Sequence, residues 1–192
     1  MDFPTFMQQV INSLSLGSLY ALLAIGYTMV YGILRLINFA HGDIFMLGAY
    51  FAFYAIAVFT VPWYLSFPLA VLLTILVGIV LERTAYRPLR NSPRIAIMIS
   101  AIGASYLIEN LGIMIFGGRP KAFPTIDFFD RMIPLGSLRV AGVSITIMVV
   151  TMAVLVILFY VINKTKTGMA MRAVSKDYEA ARLMGIDVNT II

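Results

Sequence analysis

Long apolar runs separated by short polar stretches organise this chain. Residues 10–34, 44–61, 64–82, 95–116 and 142–162 carry almost no charge, and a helix crossing the bilayer hydrocarbon needs about 20 mostly apolar residues. Polar and apolar positions do not alternate within these runs, which are rich in Leu, Ile, Met, Ala and Gly. That content suits packed helices and not a lipid-facing barrel. The pattern predicts an all-α fold, a polytopic transmembrane helical bundle of about five spans.

The polar stretches orient the bundle, because Lys and Arg concentrate in cytoplasmic loops. Arg83, Arg87, Arg90 and Arg94 lie between the third and fourth runs, and Lys164, Lys166, Arg172, Lys176 and Arg182 follow the fifth. Counting back through the spans puts Arg35 and residues 38–43 on the same cytoplasmic side. The N-terminus and residues 117–141 then face outward, the latter with Arg119, Lys121, Arg131 and Arg139. The basic residues divide ten to four in favour of this orientation.

Composition agrees with the pattern. A chain of 192 residues that is 61% hydrophobic, 12% charged and has a mean hydropathy of +0.94 has more apolar surface than one soluble core can bury. The absence of cysteine excludes disulfides and thiolate metal sites. No basic residue precedes the first apolar run, unlike a cleavable signal, so the N-terminus reads as mature. The net charge of +5 is explained by the loops and does not call for nucleic acid.

The outward segment, GGRPKAFPTIDFFDRMIPLGSLRVAG, is rich in Gly and Pro and long for a helix connection. It predicts a structured cap with a short helix or hairpin, part of which packs through Phe123, Phe128, Phe129 and Met132. Within the first run Gly17, Ala21, Ala24 and Thr28 form a strip of small groups suited to close helix contact. Ser100, Gly103 and Ala104 suggest a second packing face. Glu109 and Asn110 lie inside the fourth run, where a carboxylate in lipid is expensive. The pair is expected to face the bundle interior or a water-filled path, with Asn110 suited to hydrogen bonding between helices.

Residues 38–43 read NFAHGD and contain the only histidine. As metal ligands His41 and Asp43 lack companions; as a catalytic pair they lack a nucleophile. As a helix start the stretch makes physical sense, since Asn38 and Asp43 suit orphan backbone N–H groups and the positive end of a helix dipole. A sharper reading makes the second span discontinuous, with a polar start dipping into the membrane beside a cavity.

The last stretch, KTKTGMAMRAVSKDYEAARLMGIDVNTII, is too polar to span. Ala170, Val174, Tyr178, Ala181 and Met184 recur at spacings of three and four, predicting one or two short amphipathic helices. Gly185 followed by Ile186 reads as a left-handed helix stop with the next apolar residue packing back. Such a region either lies on anionic lipid or docks a soluble partner. Asp187 reads as the cap of a further helix, which makes the sequence a fragment or one piece of a split protein.

Taken in order, LGSLYALLAIGYTMVYGILRLINFAHGDIFMLGAY, ERTAYRPLR, ISAIGASYLIEN and GMAMRAVSKDYEAARLMGI resemble the inner-membrane permease of bacterial branched-chain amino-acid ABC importers. The resemblance implies one incomplete transmembrane permease domain over residues 1–192, with a periplasmic segment at 117–141 and a cytoplasmic coupling-helix region at 164–186. It implies a multi-pass subunit, not an enzyme, that forms a translocation path for branched-chain or similar amino acids. The implied partners are a second related permease, two cytoplasmic ATP-binding subunits and a periplasmic binding protein. No cofactor is expected on this chain, and the absence of a GxxxxGK[ST] loop assigns ATP to the partner subunits. Asn38, His41, Asp43, Glu109 and Asn110 are path candidates, although the family suits a neutral amide as readily as an acid where Glu109 stands. Gly168, Arg172, Ala173, Tyr178, Ala181 and Gly185 are candidates for ATPase coupling. The competing class is a stand-alone secondary carrier or channel with Glu109 and His41 in an ion path.

Overall fold

The computed structural model describes residues 3–34, 37–90, 92–135 and 138–191; Arg35 lies outside them. Its elements follow as α1 (Phe3–Leu34), α2 (His41–Ala57), α3 (Trp63–Leu81), α4 (Arg94–Phe116), α5 (Asp127–Asp130), β1 (Met132–Leu135), β2 (Leu138–Ala141), α6 (Gly142–Lys164), α7 (Lys166–Lys176), α8 (Tyr178–Leu183) and α9 (Val188–Ile191). A π-helical turn, Glu82–Tyr86, and a 3₁₀ turn, Arg87–Leu89, prolong α3. Among the described residues four stretches are long and apolar enough to cross a membrane, by length and composition: Phe3–Gly32, Trp63–Leu89, Arg94–Phe116 and Gly142–Lys164. The run predicted at 44–61 forms α2, which has 17 residues, about 25 Å against a hydrocarbon thickness of about 30 Å.

The chain divides into two compact units, Leu36–Thr125 and Met1–Arg35 with Ile126–Ile192. In the second of these, α1 and α6 pack in parallel. Gln8 Oε1 accepts from the Arg139 N–H at 3.1 Å, Thr151 Oγ1 approaches the Ser18 carbonyl at 3.5 Å, and Met29 and Ile162 line one cavity. Contact therefore advances along both helices in the same direction.

The small-residue strip of α1 is not what α6 packs on. Gly17, Ala24 and Thr28 are exposed within this chain, while the buried Ser15 and Thr151 mark the contact. Ahead of α6, α5 and an antiparallel β1–β2 hairpin with Ile133 opposite Val140 give both predicted forms of the cap. Val140 is buried, whereas Phe128 and Met132 stay exposed.

In the other unit, α2 and α3 form a hairpin. Pro62 precedes α3 in extended conformation and Thr60 has a φ of 51°, so the helix cannot continue through 58–62. The Ser66 hydroxyl, fully buried, donates to the Val61 and Pro62 carbonyls and ties the turn to the first turn of α3. Pro93 precedes α4 in the same extended conformation. The Ser100 hydroxyl donates to the Ala85 carbonyl at 2.9 Å, which holds α4 against the π-helical turn. Around that contact lies a small core of Ala40, Leu81, Tyr86, Ile97 and Ala101. Gly103, named with Ser100 and Ala104 as one face, is exposed, while Ala104 packs on the core. Most remaining apolar side chains on the long helices are exposed, as a helix surrounded by lipid or neighbouring spans requires.

Candidate functional site

The hexapeptide at 38–43 supplies the site. Ala40 is completely buried against α4 and the π-helical turn, which fixes the residues on either side of it. Asn38 Oδ1 accepts a 2.7 Å hydrogen bond from the Tyr86 hydroxyl. Asp43, in the first turn of α2, accepts a 2.5 Å hydrogen bond from the Ser105 hydroxyl. His41 opens α2 half-buried, its N–H on the Asn38 carbonyl at 3.3 Å.

These contacts place the break relative to α4. Ser105 is the central residue of α4 (Arg94–Phe116), about 16 Å from either end. From there α2 runs alongside α4: Met46 lies against Gly112, and the Tyr54 hydroxyl donates to the Phe116 carbonyl at 3.3 Å. Thus α2 starts halfway along an apolar helix long enough to span and ends level with its last turn. Irregular backbone at such a depth is tolerated where it is enclosed by protein or lines a cavity. The π-helical turn that carries Tyr86 is itself a form that recurs at functional sites.

The local reading of the hexapeptide as a side-chain cap does not hold. Ala40 occupies the N-cap position and no side chain caps α2; Asn38 and Asp43 reach across to Tyr86 and Ser105 instead. The reason is proximity: both partners belong to neighbouring helices that the sequence pattern could not bring next to residue 38.

Glu109 and Asn110, one turn beyond Ser105, are exposed within this chain and do not join the cluster. The Asn110 amide donates to the Tyr106 carbonyl of its own helix at 2.7 Å, so the expected bond between helices is absent. A small polar side chain closes onto its own preceding turn when no neighbour is in reach.

At the far end of α2 an aromatic group appears that the sequence reading missed. Tyr50 stacks on Phe116 with centroids 4.5 Å apart, and Phe123 meets Phe53 edge-on. Lys121 donates to the Tyr54 hydroxyl at 2.8 Å and sits over its ring at 4.9 Å. The signal was there in the aromatic run YFAFY at Tyr50–Tyr54 and in Lys121 two residues before Phe123.

The tail folds on itself. Thr165 caps α7 through the Gly168 N–H at 3.0 Å, and Asp177 caps α8 through the N–H groups of Glu179 and Ala180. Gly168 is buried so closely against the last turn of α6 that a Cβ there would stand 2.2 Å from the Val161 carbonyl oxygen. Gly185 has the expected left-handed φ of 82°. Its N–H bonds the Arg182 carbonyl while that of Ile186 bonds the Ala181 carbonyl, the paired closure of a Schellman motif. Val174, Ala181 and Val188 form a core that Tyr178, Ile186 and Ile191 complete. Tyr178 and Ala181 therefore hold the tail's shape, and Ala173 serves the junction by accepting from the Asp177 N–H. Arg172 is exposed, donating to Asn163 Oδ1 at 3.2 Å. Met184, placed by its spacing on the apolar stripe, is 83% exposed and its neighbour Leu183 88%. They are the apolar tip that periodicity alone concealed.

A helical protein whose second helix begins level with the middle of a helix long enough to span has the discontinuous arrangement that one class of transport proteins uses. The comparison with known proteins narrows the class. Residues 9–192 match the family model of the branched-chain amino acid transport system permease component, and the chain belongs to that family. It is 39% identical over 198 residues to the high-affinity branched-chain amino acid transport system permease protein BraD of Pseudomonas aeruginosa, covering 97% of this chain and 64% of BraD. It is 39% identical over 204 residues to LivH of Escherichia coli K12, covering all of this chain and 66% of LivH. The probable permease protein LivH of Methanocaldococcus jannaschii is 28% identical over 183 residues, 90% of this chain and 56% of that protein. The chain thus spans about two thirds of the length of its bacterial relatives. No solved structure matches it. Its four helices long and apolar enough to cross a membrane accord with membership of a multi-pass permease family.

Proposed function

We propose that this chain lines the translocation path of an ATP-driven importer for branched-chain amino acids, with the start of α2 as its mid-membrane element. The observation that carries the reading is the Asp43–Ser105 hydrogen bond at the centre of α4. It sets a carboxylate and the positive end of the α2 dipole halfway along a helix long enough to span, and these suit the ammonium and carboxylate of a zwitterion. Asn38 and His41 border the same turn, and Glu109 and Asn110 sit one turn further along α4 on a face open to another subunit.

The N-terminus and residues 117–141 lie outside in this reading, where a periplasmic binding protein delivers substrate. Residues 164–186 lie inside and dock one of two ATP-binding subunits, with Leu183 and Met184 entering the groove of that subunit. A second related permease completes the path, and no cofactor is held by this chain. Its relatives are transport permeases by name, which favours a non-enzymatic role.

The test is leucine uptake into proteoliposomes carrying the whole assembly. Asp43→Ala lowers uptake by about tenfold or more with the subunits still associated, and Leu183→Asp separates the ATP-binding subunits from an inserted permease. Uptake driven by a proton gradient with no ATP-binding subunit present overturns the importer reading in favour of a carrier.

A further inference from the structure

A cavity of about 190 Å³ lies where α1 and α6 end against α7, lined by Thr28, Met29, Gly32, Ile162, Met171, Arg172 and Ser175. Its floor is apolar, through Met29, Ile162 and Met171, and its one charged wall is Arg172. Lys164 closes α6 and Lys166 opens α7, so three cations stand at this junction. Among the described residues none of the three forms an ion pair. Gly32 has no atom within 4 Å of where a Cβ would stand, which leaves the cavity open on the side of α1.

From this we propose that the cavity is an anionic phospholipid site. The headgroup phosphate is held by Arg172 with Lys164 and Lys166 beside it, and the upper part of one acyl chain lies against Met29, Ile162 and Met171. Two observations select lipid over other occupants. The cavity sits at the ends of two helices long and apolar enough to cross a membrane, where headgroups lie, and it pairs an apolar floor with an arginine that forms no ion pair. Basic pockets between spanning helices bind anionic headgroups for this reason, and a guanidinium meets phosphate oxygens through two parallel hydrogen bonds. The site does not depend on the transport reading, since a carrier or channel with this junction binds the same lipid.

The experiment uses the protein purified from native membranes in its own assembly, exchanged into a zwitterionic detergent with phosphatidylglycerol or phosphatidylcholine added, and examined by native mass spectrometry. Phosphatidylglycerol stays bound and phosphatidylcholine does not, and millimolar inorganic phosphate fails to displace the lipid. Arg172→Ala lowers the bound fraction by about tenfold. Gly32→Leu, whose Cβ has no atom within 4 Å and whose side chain adds bulk at the cavity wall, lowers it as well. A photoactivatable phosphatidylglycerol labels peptides containing residues 28–32 and 171–175 in the unaltered protein, which keeps the test open if a variant fails to fold. Equal retention of both lipids, displacement by inorganic phosphate, unchanged retention in both variants, or labelling confined to other peptides overturns the assignment.

Discussion

The Asp43 carboxylate accepts a 2.5 Å hydrogen bond from Ser105, the central residue of α4. Hydrogen bonds to charged groups contribute about 1.5–3 kcal/mol, and two partners in one bond are not additive on removal. Ser105→Ala is therefore expected to destabilise the protein by about 1.5–3 kcal/mol. Adding Asp43→Ala costs clearly less than the sum of the two single changes. Reversible unfolding in mixed micelles measures the cycle, and strict additivity would show that the bond is not formed.

Tyr86→Phe removes only the hydroxyl that Asn38 accepts, while the ring keeps its place in the core with Ala40 and Ile97. The expected loss is about 0.5–1.5 kcal/mol, that of a neutral hydrogen bond. Hydrogen exchange localises it, with faster exchange in residues 37–43 and unchanged exchange in α6.

Two glycines of the tail carry different penalties. Gly168→Ala drives a methyl group into the carbonyls of Val161 and Ile162, so α7 must move off the end of α6, at about 2–4 kcal/mol. Gly185→Ala keeps the packing and loses only the left-handed conformation, at about 1–2 kcal/mol. Gly17→Ala, where nothing lies within 4 Å, serves as the control and gains up to about 1 kcal/mol of helix propensity. Thermal unfolding ranks the three, and a Gly168→Ala protein as stable as the control refutes the close contact.

Lys121→Ala removes both the hydrogen bond to Tyr54 and the cation over its ring. Residues 117–125 are expected to become several-fold more susceptible to protease, with a stability loss of about 0.5–2 kcal/mol. Unaltered cleavage in that segment would mean that Lys121 does not anchor it.

What the sequence made legible follows from how local each feature is. Helix existence and the stop at Gly185 depend on residues within a turn or two, and pattern and turn chemistry supply them, whereas the equally local cap at Asp177 was passed over. The partners of Asn38 and Asp43 stand 48 and 62 positions away, where no periodicity connects them. The start of the second helix was visible as a polar interruption, but its level along α4 required the pairing with Ser105. Tyr178 and Ala181 illustrate the opposite limit. Their spacing marked them correctly as one face, yet a face that closes on its own tail and one that meets a partner have the same period.

The bond between Asp43 and Ser105 has a consequence for how the chain is made. Helix α2 has 17 residues and a polar first turn, short of the about 20 residues that a crossing needs. The hydroxyl that Asp43 uses stands 62 positions further along the chain, so during synthesis the carboxylate has no such donor until α4 has followed it. The bond then does more than shape a site: it gives a short apolar helix its place beside a longer one only after that longer helix exists.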